Sequence, residues 1–265
     1  MNTSSALKLV SLVVALLTCA SLAQATRPAQ PNFLLILADD LGWQDVKVYD
    51  LMETAVVNGF GGTNVFETPH MDQLATEGVL FTNAYSPAPT CAPSRVAIMS
   101  GKHPGRSDVT HVSGGKCPKA SSVNASGITP HYRSSLQDEE ISLAEMLQAA
   151  GYYTGVFGKW HMSPDGHHSS FPLPTDQGFD ESYNGRGVQS GMDRLTGFAT
   201  TSPTDPYQLD SNGMATDPVT QEALSFLADS VTQEEAFFCY YSTWLVHGPW
   251  QMRTESLLQK YAGLM

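Results

Sequence analysis

A chain of 265 residues with 26 acidic against 14 basic side chains has a formal charge of −12. Such a field repels polyanions and excludes nucleic acid and anionic membrane surfaces as general partners. The 42% share of hydrophobic residues is enough to bury the core of one domain, so an anionic ligand must be drawn by local cations and not by the whole molecule.

The first 25 residues have the build of an export signal. Lys8 precedes the apolar run Leu9–Leu17, and Ala23-Gln24-Ala25 offers small residues for cleavage. That run is shorter than the roughly 20 residues a spanning helix needs, and no later segment is expected to cross a membrane. Export to the periplasm or the outside is therefore predicted. Cleavage removes Lys8 and no acid, taking the charge from −12 to −13. Three cysteines are left: Cys91, Cys117 and Cys239. An odd number leaves at least one unpaired in an oxidising compartment. Cys117 could pair with Cys239, or Cys239 could be a buried thiol within Phe238–Tyr241. Asn124-Ala125-Ser126 is a glycosylation sequon.

Phe33–Ala38 is a continuous apolar run, the pattern of a strand buried on both faces of a parallel sheet. It ends at Asp39-Asp40, where open α/β sheets place their ligands. Paired acids there suit a hard divalent cation, although an acidic turn has the same sequence. Asn58–Gly62 reads as a loop. Thr68 then caps a helix that starts at Pro69 and stops before Gly78, and Val79–Tyr85 has the composition of a strand.

Pro93 stands near the start of the next helix, which runs through Ser94–Ser100 to Gly101. Cys91 is thereby placed at a helix N-terminus, where a negative charge is favoured. Arg95, a turn further on, can offer a fork of donors to an oxyanion. Gly101 to Gln137 has no periodicity and reads as a long surface excursion carrying His111, Lys116 and His131.

Ser142 and Glu145 form a capping box for a helix that Gly151 ends. Tyr152–Phe157 is a strand that delivers Gly158-Lys159-Trp160-His161 at its end. Lys159 and His161 share a parity, so both can face one side if the extended backbone persists. Lys can hold an anion as a point charge, and His can move a proton near neutral pH. The adjacent His167-His168 pair, in contrast, sits in a loop-like run and is given no role. Gly178-Phe179-Asp180 reads as a turn and Gly185 to Gly213 as irregular rim. Asp217-Pro218 opens a helix with Val219, Ala223, Phe226 and Leu227 on one face. Phe237–Ser242 is a last buried strand, leading to His247 in a turn before Gly248-Pro249.

Five of these stretches occur together in one order: Asn32–Asp40 with Gly42, Thr68–Asp72, Cys91-Ala92-Pro93-Ser94-Arg95 closed by Ser100-Gly101, Gly158–His161, and Val246–Pro249. Together they resemble the sulfatase family over Pro31 to about Trp250, although Met99 stands where that family usually has Leu. The resemblance implies an α/β fold with a mainly parallel sheet flanked by helices, of the alkaline-phosphatase-like kind, over residues 31–265. It implies hydrolysis of aryl or carbohydrate sulfate esters. Cys91 would be converted to formylglycine (3-oxoalanine) by a formylglycine-generating enzyme, and the hydrated aldehyde, a gem-diol, would attack sulfur. Asp39, Asp40 and the modified Cys91 would ligate calcium, in preference to magnesium. Arg95 would steady the diol, Lys159 and His247 would hold the sulfate and assist the leaving oxygen, and His161 would orient or deprotonate the diol.

The same family has a second pair of metal ligands and a later Lys downstream of the His247 motif, and this chain stops at Met265. A truncated N-terminal portion of the domain is therefore expected. Two other activities fit the residues: a phosphonate or phosphodiester hydrolase with the same nucleophile, and an inactive binder of sulfated ligands.

Overall fold

The computed structural model describes residues 30–50, 66–112, 133, 135–163, 172–183, 198–205, 208–248 and 254–262. The chain divides into two units, 1–32 and 33–265. Only residues 30–32 of the first are described, and the fold that follows is that of the second. The export signal, Asn58–Gly62, Lys116, Cys117, the sequon, His131, His167-His168 and Pro249 lie outside the described residues.

Aromatic and branched residues build β1 (Phe33–Leu37). A 3₁₀ turn at Trp43–Asp45 leads into the single turn α1 (Lys47–Asp50). Pro69 then starts α2 (Pro69–Glu77), and Gly78 ends it. Next comes α3 (Cys91–Ser100), which Gly101 closes in the left-handed region at φ 66°. The short α4 (Pro104–Ser107) is a structured piece of the expected surface excursion.

Ser142 and Glu145 do form a capping box, and it opens α5 (Leu143–Ala149). After β2 (Tyr153–Gly158), a 3₁₀ turn at Pro174–Gln177 precedes the short β3 (Glu181–Tyr183). Asp217 caps α6 (Pro218–Thr232) by accepting the Val219 amide at 3.0 Å. The chain then runs through β4 (Phe237–Ser242) to α7 (Glu255–Ala262).

The four strands form one all-parallel sheet in the order β1-β4-β2-β3. Alternation along β4 sends Phe238 and Tyr240 to one face, where Val96 and Met99 of α3 and Ala144 of α5 pack with them. Phe237 and Cys239 go to the other face, against Val219, Ala223 and Phe226 of α6. Helices therefore cover both faces of the central strands, the arrangement that requires near-continuous apolar runs.

Two expectations need correction. β1 is not buried on both faces: it is an edge strand of the described sheet, and Phe33, Leu34 and Ile36 are 42%, 49% and 56% exposed. Val79–Tyr85 forms no strand: it lies largely exposed, and among the described residues no strand neighbours it, so its β-propensity has no pairing to act through. A third difference is β3, whose three residues are too few to leave a periodic signal.

Candidate functional site

Three strands end level with one another. Leu37 of β1 pairs with Ser242 of β4, and Ser242 pairs with Gly158 of β2. The segments beyond these residues consequently converge: Asp39-Asp40, Trp244–His247 and Lys159–His161. Backbone hydrogen bonds fix the convergence, from the Asp39 amide to Leu245 O (2.8 Å), from the Val246 amide to Asp39 O (2.7 Å) and from the Lys159 amide to Ser242 O (2.7 Å). Gly158 adopts φ +105°, and a Cβ there would lie 2.1 Å from Ser242 O. Glycine is thus a steric requirement of the turn that carries Lys159.

Asp39 is the hub of this end of the sheet. Its Oδ1 accepts from Arg95 Nη2 at 3.1 Å, and its Oδ2 accepts from Lys159 Nζ. Asp39 is buried, and Arg95 and Lys159 are both only 1% exposed. Burial pushes the Asp39 carboxyl up, but the Arg95 guanidinium and the Lys159 ammonium outweigh it and hold the group below its ordinary value. Two cations share one carboxylate, so the buried triad has an excess of one positive charge.

Arg95 Nη1 lies within reach of three acceptors: Lys159 O at 2.7 Å, Tyr240 Oη at 3.2 Å, and Ser242 Oγ. Among the described residues its buried Nε has no hydrogen-bond partner. The Ser242 hydroxyl also donates to Lys159 O at 2.8 Å.

Cys91 is half-buried and is the first residue of α3. Thr90 precedes it in extended backbone with no capping side-chain bond. A cavity of about 370 Å³ opens there, and its lining includes Asp39, Asp40, Cys91, Ser94 and Arg95. The other residues of the motif have structural work: Pro93 is buried, and Ser94 Oγ lies 2.9 Å from Ala88 O and 2.8 Å from Thr90 O, joining the preceding loop to the helix.

His161 takes a left-handed backbone, φ 53°, and so does Asp40 at φ 60°, a conformation that costs about 1 kcal/mol or more outside glycine. The His161 ring places Nε2 3.1 Å from Val112 O, and its buried Nδ1 has no partner among the described residues. Burial, then the charges of Lys159 and Arg95, lower its pKa to about 4, so the ring is neutral at pH 7. His247 Nε2 stands 3.7 Å from Asp40 Oδ2.

All seven residues singled out from the sequence, Asp39, Asp40, Cys91, Arg95, Lys159, His161 and His247, lie on loops or helix starts at this end of the sheet. Asp39, Asp40, Cys91 and Arg95 share the cavity lining. Nothing in the sequence points to Tyr240 and Ser242, whose polar tips in an aromatic strand look like core, or to Trp244, which follows that strand in a loop. Two adjacent carboxylates facing one cavity have the donor chemistry of calcium ligands. They are two ligands and not a full set: among the described residues no three His, Cys, Asp or Glu side chains are grouped to hold a metal. Cys239 is a buried free thiol, pushed up to about 12 by burial; its suggested partner Cys117 lies outside the described residues.

Comparison with known proteins gives one consistent answer. N-acetylgalactosamine-6-sulfatase of Homo sapiens is 39% identical over 155 residues, which are 58% of this chain and 25% of that protein. Arylsulfatase G of Homo sapiens is 36% identical, over 58% of this chain and 24% of the relative. The chain thus spans about a quarter of the length of these curated relatives. Among solved structures, one from work on glycosaminoglycan metabolism in Bacteroides thetaiotaomicron (BT33336S-sulf) is 26% identical with a TM-score of 0.54, over 84% of this chain and 52% of that one. Another, Ps i-CgsB solved with k-i-k-neocarrahexaose, is 25% identical with a TM-score of 0.52, over 83% of this chain and 46% of that one. The parallel sheet with helices on both faces is the alkaline-phosphatase-like architecture of these proteins. The Sulfatase family model matches residues 31–262, which takes in β1 through α7 and every residue of the cluster just described, and the chain belongs to that family.

Proposed function

We propose that this chain carries sulfatase chemistry, the hydrolysis of a sulfate ester at the cavity shared by Cys91, Asp39, Asp40 and Arg95. The observation that carries the reading is the buried triad. An anion entering beside Asp39 meets the two buried cations, charge-assisted donors and the N-terminus of α3, while the Asp40 carboxylate in the same lining offsets the triad's excess charge and would be neutralised by a bound cation. A thiol stands at the same place.

In this reading Lys159 Nζ holds a sulfate oxygen as a point charge. Arg95 Nε is the guanidinium donor that no group among the described residues satisfies, and it serves an oxygen carried on residue 91. His161 is fixed by Val112 O as the neutral ring with Nε2 protonated, so Nδ1 accepts the proton of the attacking oxygen. His247 protonates the leaving alcohol oxygen, with Asp40 beside it. Formylglycine made from Cys91 by a formylglycine-generating enzyme would supply an oxygen nucleophile in place of the thiol. Asp39 and Asp40 would hold calcium, whose charge would neutralise sulfate oxygens.

The substrate class that fits best is a sulfated carbohydrate. The relatives include N-acetylgalactosamine-6-sulfatases, and one neighbour was solved with neocarrahexaose. Export agrees with an extracellular or periplasmic glycan. Among the described residues no helix is long and apolar enough to cross a membrane.

Peptide mass spectrometry over Thr90–Arg95, on protein from the native host, tests the reading. An aldehyde at residue 91, with aryl sulfate turnover that Cys91→Ala abolishes, is the expected result. An unmodified thiol without turnover overturns it. A binding-only reading draws on one observation: cations already take both oxygens of Asp39. Sulfate-ester binding without turnover, despite the aldehyde, would favour that alternative.

A further inference from the structure

Trp244 lies two residues past β4 and belongs to none of the family-like stretches. One face of its ring receives the Lys159 ammonium, with Nζ 4.4 Å from the ring centroid. The His247 imidazole meets it edge-on, with centroids 6.2 Å apart and planes at 89°. Lys159 is also the partner of Asp39, and His247 Nε2 is 3.7 Å from Asp40 Oδ2. Because Asp39 and Asp40 are neighbours in sequence, these contacts close into a ring of five residues: Asp39, Lys159, Trp244, His247, Asp40.

The choice of an indole has a physical consequence. Lys159 is buried, so its ammonium has lost water and needs compensation. Asp39 supplies part of it. A second carboxylate or a carbonyl could supply the rest, but it would hold the ammonium by directed hydrogen bonds and compete with an incoming anion. The face of Trp244 attracts the cation without fixing its N–H vectors. Lys159 can therefore turn its donors toward an anion while keeping its support. The same ring limits where the His247 imidazole can sit.

We propose that Trp244 is a positioning residue that sets the separation of Lys159 and His247, so that both address one sulfate-sized anion beside Asp39 and Asp40. The identity of the anion rests on the sulfatase reading above; the positioning does not.

The test uses the full chain with carbon-13-enriched lysine. Lys159 Nζ lies over the indole, so the signal of the adjoining ε-methylene should appear upfield of the other lysines, and Lys159→Met identifies it by its disappearance. Trp244→Leu returns that signal to the ordinary lysine position and weakens binding of inorganic sulfate about tenfold. Trp244→Phe, which keeps an aromatic face, retains an upfield signal and holds sulfate affinity within about threefold. Trp244→Met, flexible and without a ring, replaces the leucine variant if that one does not fold. The proposal is overturned if the non-aromatic variant leaves sulfate affinity unchanged, because the loss of the upfield signal then reports only the missing ring, which holds nothing in place. If sulfate leaves the Lys159 signal of the unsubstituted chain unmoved but Trp244→Leu still weakens sulfate binding about tenfold, the positioning stands and the sulfatase reading of Lys159 falls.

Discussion

Asp39 answers two cations with one carboxylate, and that ratio decides how its removal must behave. Breaking a buried pair by deleting one partner costs about 3–5 kcal/mol, because the other charge is left uncompensated. Asp39→Asn leaves two like charges, Arg95 and Lys159, facing each other in the interior. We expect a loss at the upper end of that range, read as a lower urea midpoint at unchanged m-value. Lys159→Met removes the excess cation and leaves Asp39 paired with Arg95, so it should cost less than Asp39→Asn. The reverse order would mean that the triad is not the electrostatic unit described.

His161 gives a pH test at the same scale. Its folded pKa is depressed to about 4 from an ordinary 6.5. Between those values the unfolded chain binds a proton that the folded ring refuses. The contribution of His161 therefore lowers stability as pH falls from about 6.5 toward 4 and is nil above that window. Histidine-ring NMR should find one ring still neutral at pH 5, and its signals should vanish in His161→Gln. A ring titrating near 6.5 at that position would refute the burial argument.

At the scale of elements, the sequence was most informative where a local rule acts alone. Gly101 and Gly78 end helices, Ser142 with Glu145 starts one, and Asp217 caps another, because each signal concerns one turn of backbone. Tyr152–Phe157 reads correctly as a strand and Phe237–Ser242 as a buried one, since helices cover both faces of the sheet there. Val79–Tyr85 misled because its strand composition says nothing about whether a partner strand is present. The motif residues could be placed at strand ends in advance, but Tyr240, Ser242 and Trp244 could not. Their roles depend on the β1-β4-β2 register, which no single segment encodes.

Gly158 shows how much depends on that register. Gly158→Ala puts a methyl carbon on the Ser242 carbonyl, at a φ that disfavours any side chain. We expect a cost of about 3 kcal/mol or more and loss of the aligned strand ends. Denaturation midpoints would report the first, and hydrogen exchange at the Lys159 amide, which bonds Ser242 O, would report the second. A variant as stable as the parent, with the Lys159 amide still protected, would show that β2 and β4 need not approach so closely.

For the molecule as a whole, charge and apolar exposure pull in opposite directions. The formal charge of −12 keeps copies apart. Against this, among the described residues β1 is an edge strand with Phe33, Leu34 and Ile36 about half-exposed, and Val79, Phe81 and Tyr85 are more exposed still. An apolar edge strand is a template for pairing with another chain. Which effect wins is set by screening. At 0.01 M salt the Debye length is about 30 Å and repulsion spans a neighbour's surface, whereas at 1 M it is about 3 Å and only contacts matter. Light scattering should therefore grow with ionic strength at fixed protein concentration. Ile36→Lys puts a cation on this edge strand of the described sheet, so copies meeting edge to edge place two lysines together, and it should delay that growth. The substitution also lowers the net negative charge by one, which on its own would favour association. A slower onset in Ile36→Lys thus runs against the global charge term and locates the seam at β1. An onset as early as the parent's, or earlier, would place it elsewhere.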